Sequence, residues 1–417
     1  MGDDTLGAGA SAALRRYRSP SALVAFTACV HRTELERAAD VKLVRKPHFP
    51  NGALDALIER GREHERAHLN DLRAQGLEIV EVPMVVGGDV HELAAAVGMT
   101  MAAMQRGVDV IYQAAFVQTD AGTTWRGHVD FLRRVEAKST LGAWSYEPWD
   151  AKLAREAKAS ALLQLCAYAE MIERVQGSPP ETVHLVLGGP GRPVAPYQVA
   201  KFAPYYRQVR RQFLERVGNA AAPAFPVTDP YPDPVEHCDV CDWSPLCEQR
   251  RRADDHVSLV AGISRTQRKA LHERAITTLT GLSNAIMPLV PPLERTRVPA
   301  MTRVREQARV QSEGRKRETP VWELIIGAGD AAPGKRKIER KMGLCALPAP
   351  SPGDLFFDIE GDPFVGDDGR EYLFGVQSST GYLPFWSFDA AGERTQFEQV
   401  VDLFHARLRA DPDLHVY

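Results

Sequence analysis

Residues 125 to 152 confine this chain more tightly than any other stretch. Trp125 to Glu136 and Ala143 to Lys152 are both rich in aromatic and β-branched residues, the composition of strands. Ser139-Thr140-Leu141-Gly142 between them is turn-like, so the two runs are expected to fold as a hairpin about residue 140. That register sets Asp130 directly opposite Asp150, with Cβ atoms roughly 4.5–5.5 Å apart. Two carboxylates at such a spacing repel unless a cation lies between them, and oxygen-only ligation suits Mg²⁺ or Mn²⁺. Lys152 follows Asp150 by two residues, so strand alternation points both to one face. Two acids, a hard cation and an ammonium can polarise a phosphate, activate a water and stabilise developing charge.

The next stretch, Ala151 to Ile172, is predicted as a helix from the near-helical recurrence of Leu153, Ala157, Leu162, Leu165, Tyr168 and Ala169. Gln164 and Tyr168 are four apart and share one face of it. An acid-x-lysine triplet is common by chance, and Glu136-Ala137-Lys138 has the same form. Glu136 lies close to the turn with no acid mirrored across the hairpin, so Asp150 is preferred.

Taken together, Gly127-x-x-Asp130, Asp150-x-Lys152 and Gln164-x-x-x-Tyr168 resemble the RecB-type branch of the PD-(D/E)XK nucleases. The resemblance implies a restriction-endonuclease-like mixed sheet flanked by helices and a Mg²⁺- or Mn²⁺-dependent phosphodiesterase. It implies Asp130 and Asp150 as metal ligands, Lys152 as the group that positions water and stabilises the transition state, and Gln164 and Tyr168 as orienting residues. It further implies an upstream helical histidine followed by glutamate as a third ligand. Gly61-Arg62-Glu63-His64-Glu65 fits that description, with His68, one turn on, as the competing choice.

Six cysteines in a chain with no signal-peptide core are expected as ligands or core residues rather than disulfides. Cys238-x2-Cys241-x5-Cys247 needs a fourth ligand, and Cys29 stands far upstream. Four thiolates suit structural Zn²⁺ or an iron–sulfur cluster. One cysteine before the nuclease motifs and three after them resembles the [4Fe–4S] staple of some RecB-type nucleases, which ties the two ends of the domain together. Closing a loop of that length restrains the unfolded chain. Cys166 is read as a core residue and Cys345 as a linker residue.

At 417 residues the chain is long enough for two or three domains. No apolar run approaches the ~20 residues of a membrane span, and the acidic start Met1-Gly2-Asp3-Asp4 lacks a signal-peptide core, so the expected location is the cytoplasm. A net charge of −3 is neutral evidence on nucleic-acid binding, because bound cations supply positive charge where phosphate sits.

The expected organisation is a loose tail over 1–18, the nuclease domain over 19–250, a helical segment over 251–290, a basic polar linker over 291–350 and a further domain over 351–417. Within the first domain, Pro20 to Glu36 is read as one helix carrying Cys29, Asp55 to Gln75 as the helix carrying His64, and Leu77 to Val86 as a strand. Leu259 to Leu279 resembles a helix-hairpin-helix unit, which docks DNA phosphates, though Ala275 stands where a turn glycine is common; a small packing module is the other reading. Arg315-Lys316-Arg317 and Gly334-Lys335-Arg336-Lys337 are read as solvated linker or as phosphate contacts.

The last segment opens with an apolar strand that puts Asp358 and Glu360 on one face, followed by strands at Tyr372 to Gln377 and Pro384 to Phe388. This resembles the start of a DEDD exonuclease with an RNase H-like fold, in which the two acids would hold metal ions. The chain is expected to stop mid-domain at Tyr417, without two further acids, as in a fragment of a longer polypeptide.

Over most of its length the sequence is similar to bacterial RecB-like nucleases with an iron–sulfur motif and an appended RNase H-like domain, some of which continue into a helicase. The function this implies is a DNA nuclease acting on single-stranded ends, in repair, recombination or processing, with DNA and a helicase module as partners. Two alternatives stand beside it. One is a 3′–5′ exonuclease or ribonuclease using Asp358 and Glu360; the other is a non-catalytic iron–sulfur DNA-binding subunit of a helicase-nuclease.

Overall fold

A computed structural model describes residues 17–47, 52–85, 89–120, 123–218, 226–323, 346–363, 365–366 and 368–417. Nearly all of the expected tail, Val86, Gly334 to Lys337 and Cys345 lie outside the described residues. The chain forms two units, Met1–Lys316 and Arg317–Tyr417.

The first unit is mixed α/β. Its sheet has six strands in sequence order: β1 (Ile79–Glu81), β2 (Val110–Asp120), β3 (Thr123–Val135), β4 (Ser145–Lys152), β5 (Thr182–Leu187) and β6 (Val194–Gln198). The β1–β2 and β4–β5 pairs are parallel and the other three antiparallel. The helices are α1 (Pro20–Ala28), α2 (Val30–Asp40), α3 (Gly52–Ala74), α4 (Val90–Arg106), α5 (Ala159–Gln176) and α6 (Val199–Val217), followed by α7 (Ser244–Ala253), α8 (Arg265–His272), α9 (Leu279–Ser283) and α10 (Val298–Arg317).

Alternation along the strands sorts the core onto two faces. Val110 and Phe131 pack with Leu69 and Leu72 of α3. Their neighbours Ile111 and Leu132 belong to the larger core with Met104 of α4 and Cys166, Ala167 and Tyr168 of α5. Each buried leucine or phenylalanine contributes about 1.5–3 kcal/mol of transfer free energy. A one-residue slip would send every such side chain to the wrong face. The hairpin therefore holds the expected register, with Phe131 opposite Trp149 and Val135 opposite Ser145, and Ser139 and Gly142 bridging its turn.

Three local expectations differ from what is found. The helix expected from Ala151 begins only at Ala159, because Ala151 and Lys152 are still strand, paired with Val186 and Leu187 of β5. Cys29 breaks the single helix expected over 20–36: its extended backbone (φ −158°, ψ 108°) closes α1 and caps α2. The strand expected over Leu77 to Val86 is ordered as such only at Ile79–Glu81.

The stretch read as a basic linker is helical over Val298–Arg317, a correction with a plain cause. Met301, Val304, Ala308 and Ser312 recur at helical spacing within the charged sequence and are buried. The first three join Val257, Val260, Leu271, Leu279 and Leu282 in a core of their own. The hairpin segment and α10 are thus one small helical module. Ala275 adopts the left-handed conformation (φ 58°) that a glycine would take at such a turn.

In the second unit β7 (Phe356–Asp362), β8 (Arg370–Ser378) and β9 (Gly381–Trp386) form an antiparallel sheet in that order. Helix α11 (Ala390–Ala410), which the sequence reading did not anticipate, contributes Val400 to a core with Leu355, Phe374, Val376 and Leu414. Val416 then bridges Leu355 in parallel, on the free side of β7.

Candidate metal centre

Asp130 and Asp150 enter the site from adjacent strands. Asp130 Oδ2 accepts the N–H of Ala151 at 2.9 Å, so it is fixed to the strand between Asp150 and Lys152. Asp150 is 1% exposed, whereas Asp130 keeps a path to solvent. Lys152 Nζ lies 2.6 Å from Asp150 Oδ2, as the alternation of Asp-x-Lys on a strand requires. That same Oδ2 is buried and makes no aligned hydrogen bond.

The electrostatics follow from crowding. Desolvation first, then the charge of Asp150, push Asp130 up to about 7. Desolvation also raises Asp150, with Lys152 pulling the other way. Two unit charges ~4 Å apart near a protein surface repel by about 4 kcal/mol, enough to retain a proton unless a cation replaces it. Burial works against the Lys152 ammonium, but Asp150, Asp130 and Glu65 outweigh it and hold it above the ordinary lysine range. The acids around Lys152 thus favour its ammonium form.

Helix α5 covers the acids from one side. Tyr168 is buried and its hydroxyl lies 3.4 Å from Gln164 Nε2. Burial, reinforced by Asp130 and Asp150, keeps that phenol protonated. Its ring rests on Gly127, where a Cβ would stand 2.7 Å from Tyr168 Cε1. The glycine and the tyrosine on α5 are therefore parts of one contact, three residues before Asp130 on β3.

Helix α3 supplies the remaining groups, in an arrangement the sequence did not fix. His64 Nε2 lies 3.1 Å from the carbonyl of Val186, the strand partner of Ala151. His68 is buried between Phe131 and Trp149, with ring centroids 5.0 and 6.0 Å away, and desolvation lowers it to about 4. It is a core histidine. Glu65, quoted above only as the residue after His64, shares the field of Asp130 and Lys152, and burial followed by Asp130 raises its carboxyl. Its position beside His64 was the available signal. Glu136, the alternative acid, is an exposed partner of Arg134 beyond the end of β3.

Cys29 and the three later cysteines lie near enough for their charges to be felt at Cys241 and Cys247, although more than two hundred residues separate the first from the rest. Burial raises the Cys241 thiol and pushes Cys247 up to about 12, and in both cases the charges of Cys29 and Cys238 add to the rise. Cys241 and Cys247 pack against Leu35, Ala38 and Trp243. Around them α2 and the segment 229–243 are tied together by Trp243 Nε1 donating to Glu36 at 2.9 Å, Arg32 to His237 at 2.7 Å, and His31 against the Pro230 carbonyl at 2.7 Å. Cys166 is 2% exposed in the main core and takes no part.

Among the described residues no three His, Cys, Asp or Glu side chains form a ready-made metal cage. The donors nonetheless suit the expected groups: facing carboxylates, one of them ion-paired with Lys152, suit a hard divalent cation, and four thiols suit zinc or iron. In the second unit Asp358 and Glu360 are exposed neighbours on β7. A cavity of about 560 Å³ between α5 and α6 shares no lining residue with the acids. No helix among the described residues is long and apolar enough to cross a membrane. No protein-family model matches the chain, and no curated protein matches it.

Proposed function

We propose that the first unit is a metal-dependent DNA nuclease of the RecB-type PD-(D/E)XK kind, acting on single-stranded ends. One observation carries the reading: Asp130, Asp150 and Lys152 meet on one side of a β-hairpin, with Tyr168 of the next helix seated on Gly127. Support comes from the parts that strand spacing alone does not bring together: Asp130 from the neighbouring strand and Tyr168 from the following helix.

Asp130 and Asp150 would hold Mg²⁺ or Mn²⁺, with Glu65 and His64 reaching in from α3. The cation, when bound, supplies Lewis acidity toward phosphate and water. Lys152, held protonated, offers its N–H bonds to the phosphate oxygens as charge develops, and Asp150 keeps it in place. Gln164 and Tyr168, whose side chains lie 3.4 Å apart, would orient Lys152 or the nucleic acid.

Cys29, Cys238, Cys241 and Cys247 would hold a [4Fe–4S] cluster or zinc with a structural role, since Trp243, Arg32 and His31 already bring α2 against the segment that leads to α7. For the second unit we propose an RNase H-like opening. Three antiparallel strands, a helix and a parallel bridge beside β7 support it.

The test is cleavage of end-labelled single- and double-stranded DNA with Mn²⁺ or Mg²⁺, using anaerobically purified protein beside Lys152→Ala. Loss of label with wild type alone is the expected result. Equal cleavage by a clean Lys152→Ala preparation sinks the assignment.

A further inference from the structure

We infer that Gln113 is a positioning residue for the acid set, acting through Glu65; this rests on the nuclease reading above. Gln113 lies within β2 and is 4% exposed. Its φ of 55° is left-handed, a conformation that a non-glycine residue adopts at a cost and that a regular strand excludes. The β2–β3 ladder runs from Val110↔Arg133 to Asp120↔Thr123, and the one pair missing from that run is Gln113 with Asp130. The backbone irregularity therefore falls opposite a proposed metal ligand.

Its consequence is a change in where side chains go. In a regular strand consecutive residues point to opposite faces. Here Tyr112 packs with Leu69 and Leu72 of α3, and the Gln113 amide N–H donates to Glu65 Oε1 of the same helix. Two adjacent strand residues can face one helix only if the alternation is broken between them. His128 Nδ1 stands 3.3 Å from the Gln113 carbonyl, although the ladder pairs His128 itself with Ala115.

The arrangement costs stability twice over. The backbone is strained, and the Gln113 amide oxygen is buried with no hydrogen-bond partner. Strain of this kind persists where a site uses it. The use here is to keep Glu65 turned toward Asp130, so that three carboxylates and not two face the cation.

The experiment measures Mn²⁺ binding by titration calorimetry and the metal-free thermal midpoint for wild type, Gln113→Gly, Gln113→Asn and Glu65→Gln. Glycine adopts this φ freely, so Gln113→Gly is expected to keep or raise the midpoint while binding Mn²⁺ about 10-fold or more weakly, as Glu65→Gln does. Gln113→Asn keeps an amide at a tolerated φ and is expected to recover part of the affinity. Affinity within about twofold of wild type in Gln113→Gly overturns the inference and leaves the nuclease reading standing, since second-sphere losses run about 10–100-fold. A midpoint that falls together with affinity also overturns it, by making the role structural. Failure of wild type itself to bind Mn²⁺ removes the nuclease reading and this inference with it.

Discussion

Gly127 and Tyr168 are in contact across the site: a Cβ on residue 127 would lie 2.7 Å from Tyr168 Cε1 and 3.4 Å from Cδ of Pro20. Two residues forty-one positions apart in sequence thus set the distance between β3, which carries Asp130, and α5, which carries Gln164. The space is closed from both sides, because Tyr168 is buried in the main core and cannot swing out without opening it.

Gly127→Ala is therefore expected to destabilise the first unit by about 1–3 kcal/mol, the usual cost of overpacking. Urea denaturation measures it. Adding Tyr168→Ala in the same chain is expected to cost less than the sum of the two single changes, because the clash is then gone. Strict additivity would show that the contact carries no coupling.

Lys152→Ala is expected to lower cleavage by roughly 100-fold or more, the scale of removing one fixed transition-state donor. Fold and metal content of the cysteine cluster are expected to survive, since Lys152 still reaches solvent and its one strong partner is Asp150. Circular dichroism and iron analysis check the second half of that statement.

The acids make a pH prediction with a definite sign. Unfolded, Asp130 titrates near ~4; folded without metal, it titrates at about 7. Between those values the folded chain holds a proton that the unfolded chain has lost, so the metal-free protein loses stability as pH rises through that window. Mn²⁺ must displace the proton, so its affinity is expected to rise over the same window and level off above it. Thermal midpoints of wild type against Asp130→Asn isolate the effect. A wild-type midpoint that rises more steeply with pH than the variant's contradicts it.

Under the proposed cysteine centre, Cys29→Ala is expected to remove the metal and lower the thermal midpoint, because the cross-link between α2 and the cysteines after residue 237 is then lost. Cys166→Ala is expected to keep the metal, its side chain lying in the main core. Anaerobic metal analysis with the visible spectrum reads both variants and tells iron from zinc.

Ala275→Gly addresses the helical module. Left-handed backbone costs an L-residue about 1–2 kcal/mol, and glycine gives back about 0.5–1 kcal/mol through its looser unfolded state. A net gain of about 0.5–1 kcal/mol in chemical denaturation is expected, and a loss would mean that the alanine methyl packs usefully.

Much of the hairpin was legible in advance. Its register needed only the alternation of Trp149 and Phe131 with Asp150 and Asp130 and a turn at 139–142, both local properties. The start of α5 was not legible, because Ala151 and Lys152 fit both the end of the strand and the start of the helix, and pairing with β5, thirty-five residues on, decides for the strand. α10 was hidden for the opposite reason: its buried positions are diluted among arginines, and the core that Met301, Val304 and Ala308 complete comes from residues 257–293.

The sequence by itself determined the chemistry available: two acids and a lysine at strand spacing, an amide and a phenol at helical spacing, and three thiols in a cluster. These are short-range facts, set by the periods of strand and helix. The tertiary structure decided what stands beside them. It drew Glu65 in from α3, buried His68 away from the acids, bent β2 at Gln113 and brought Cys29 toward Cys247. Each of those placements depends on how separate elements pack, and packing is a property of the whole core, which no window of the chain contains.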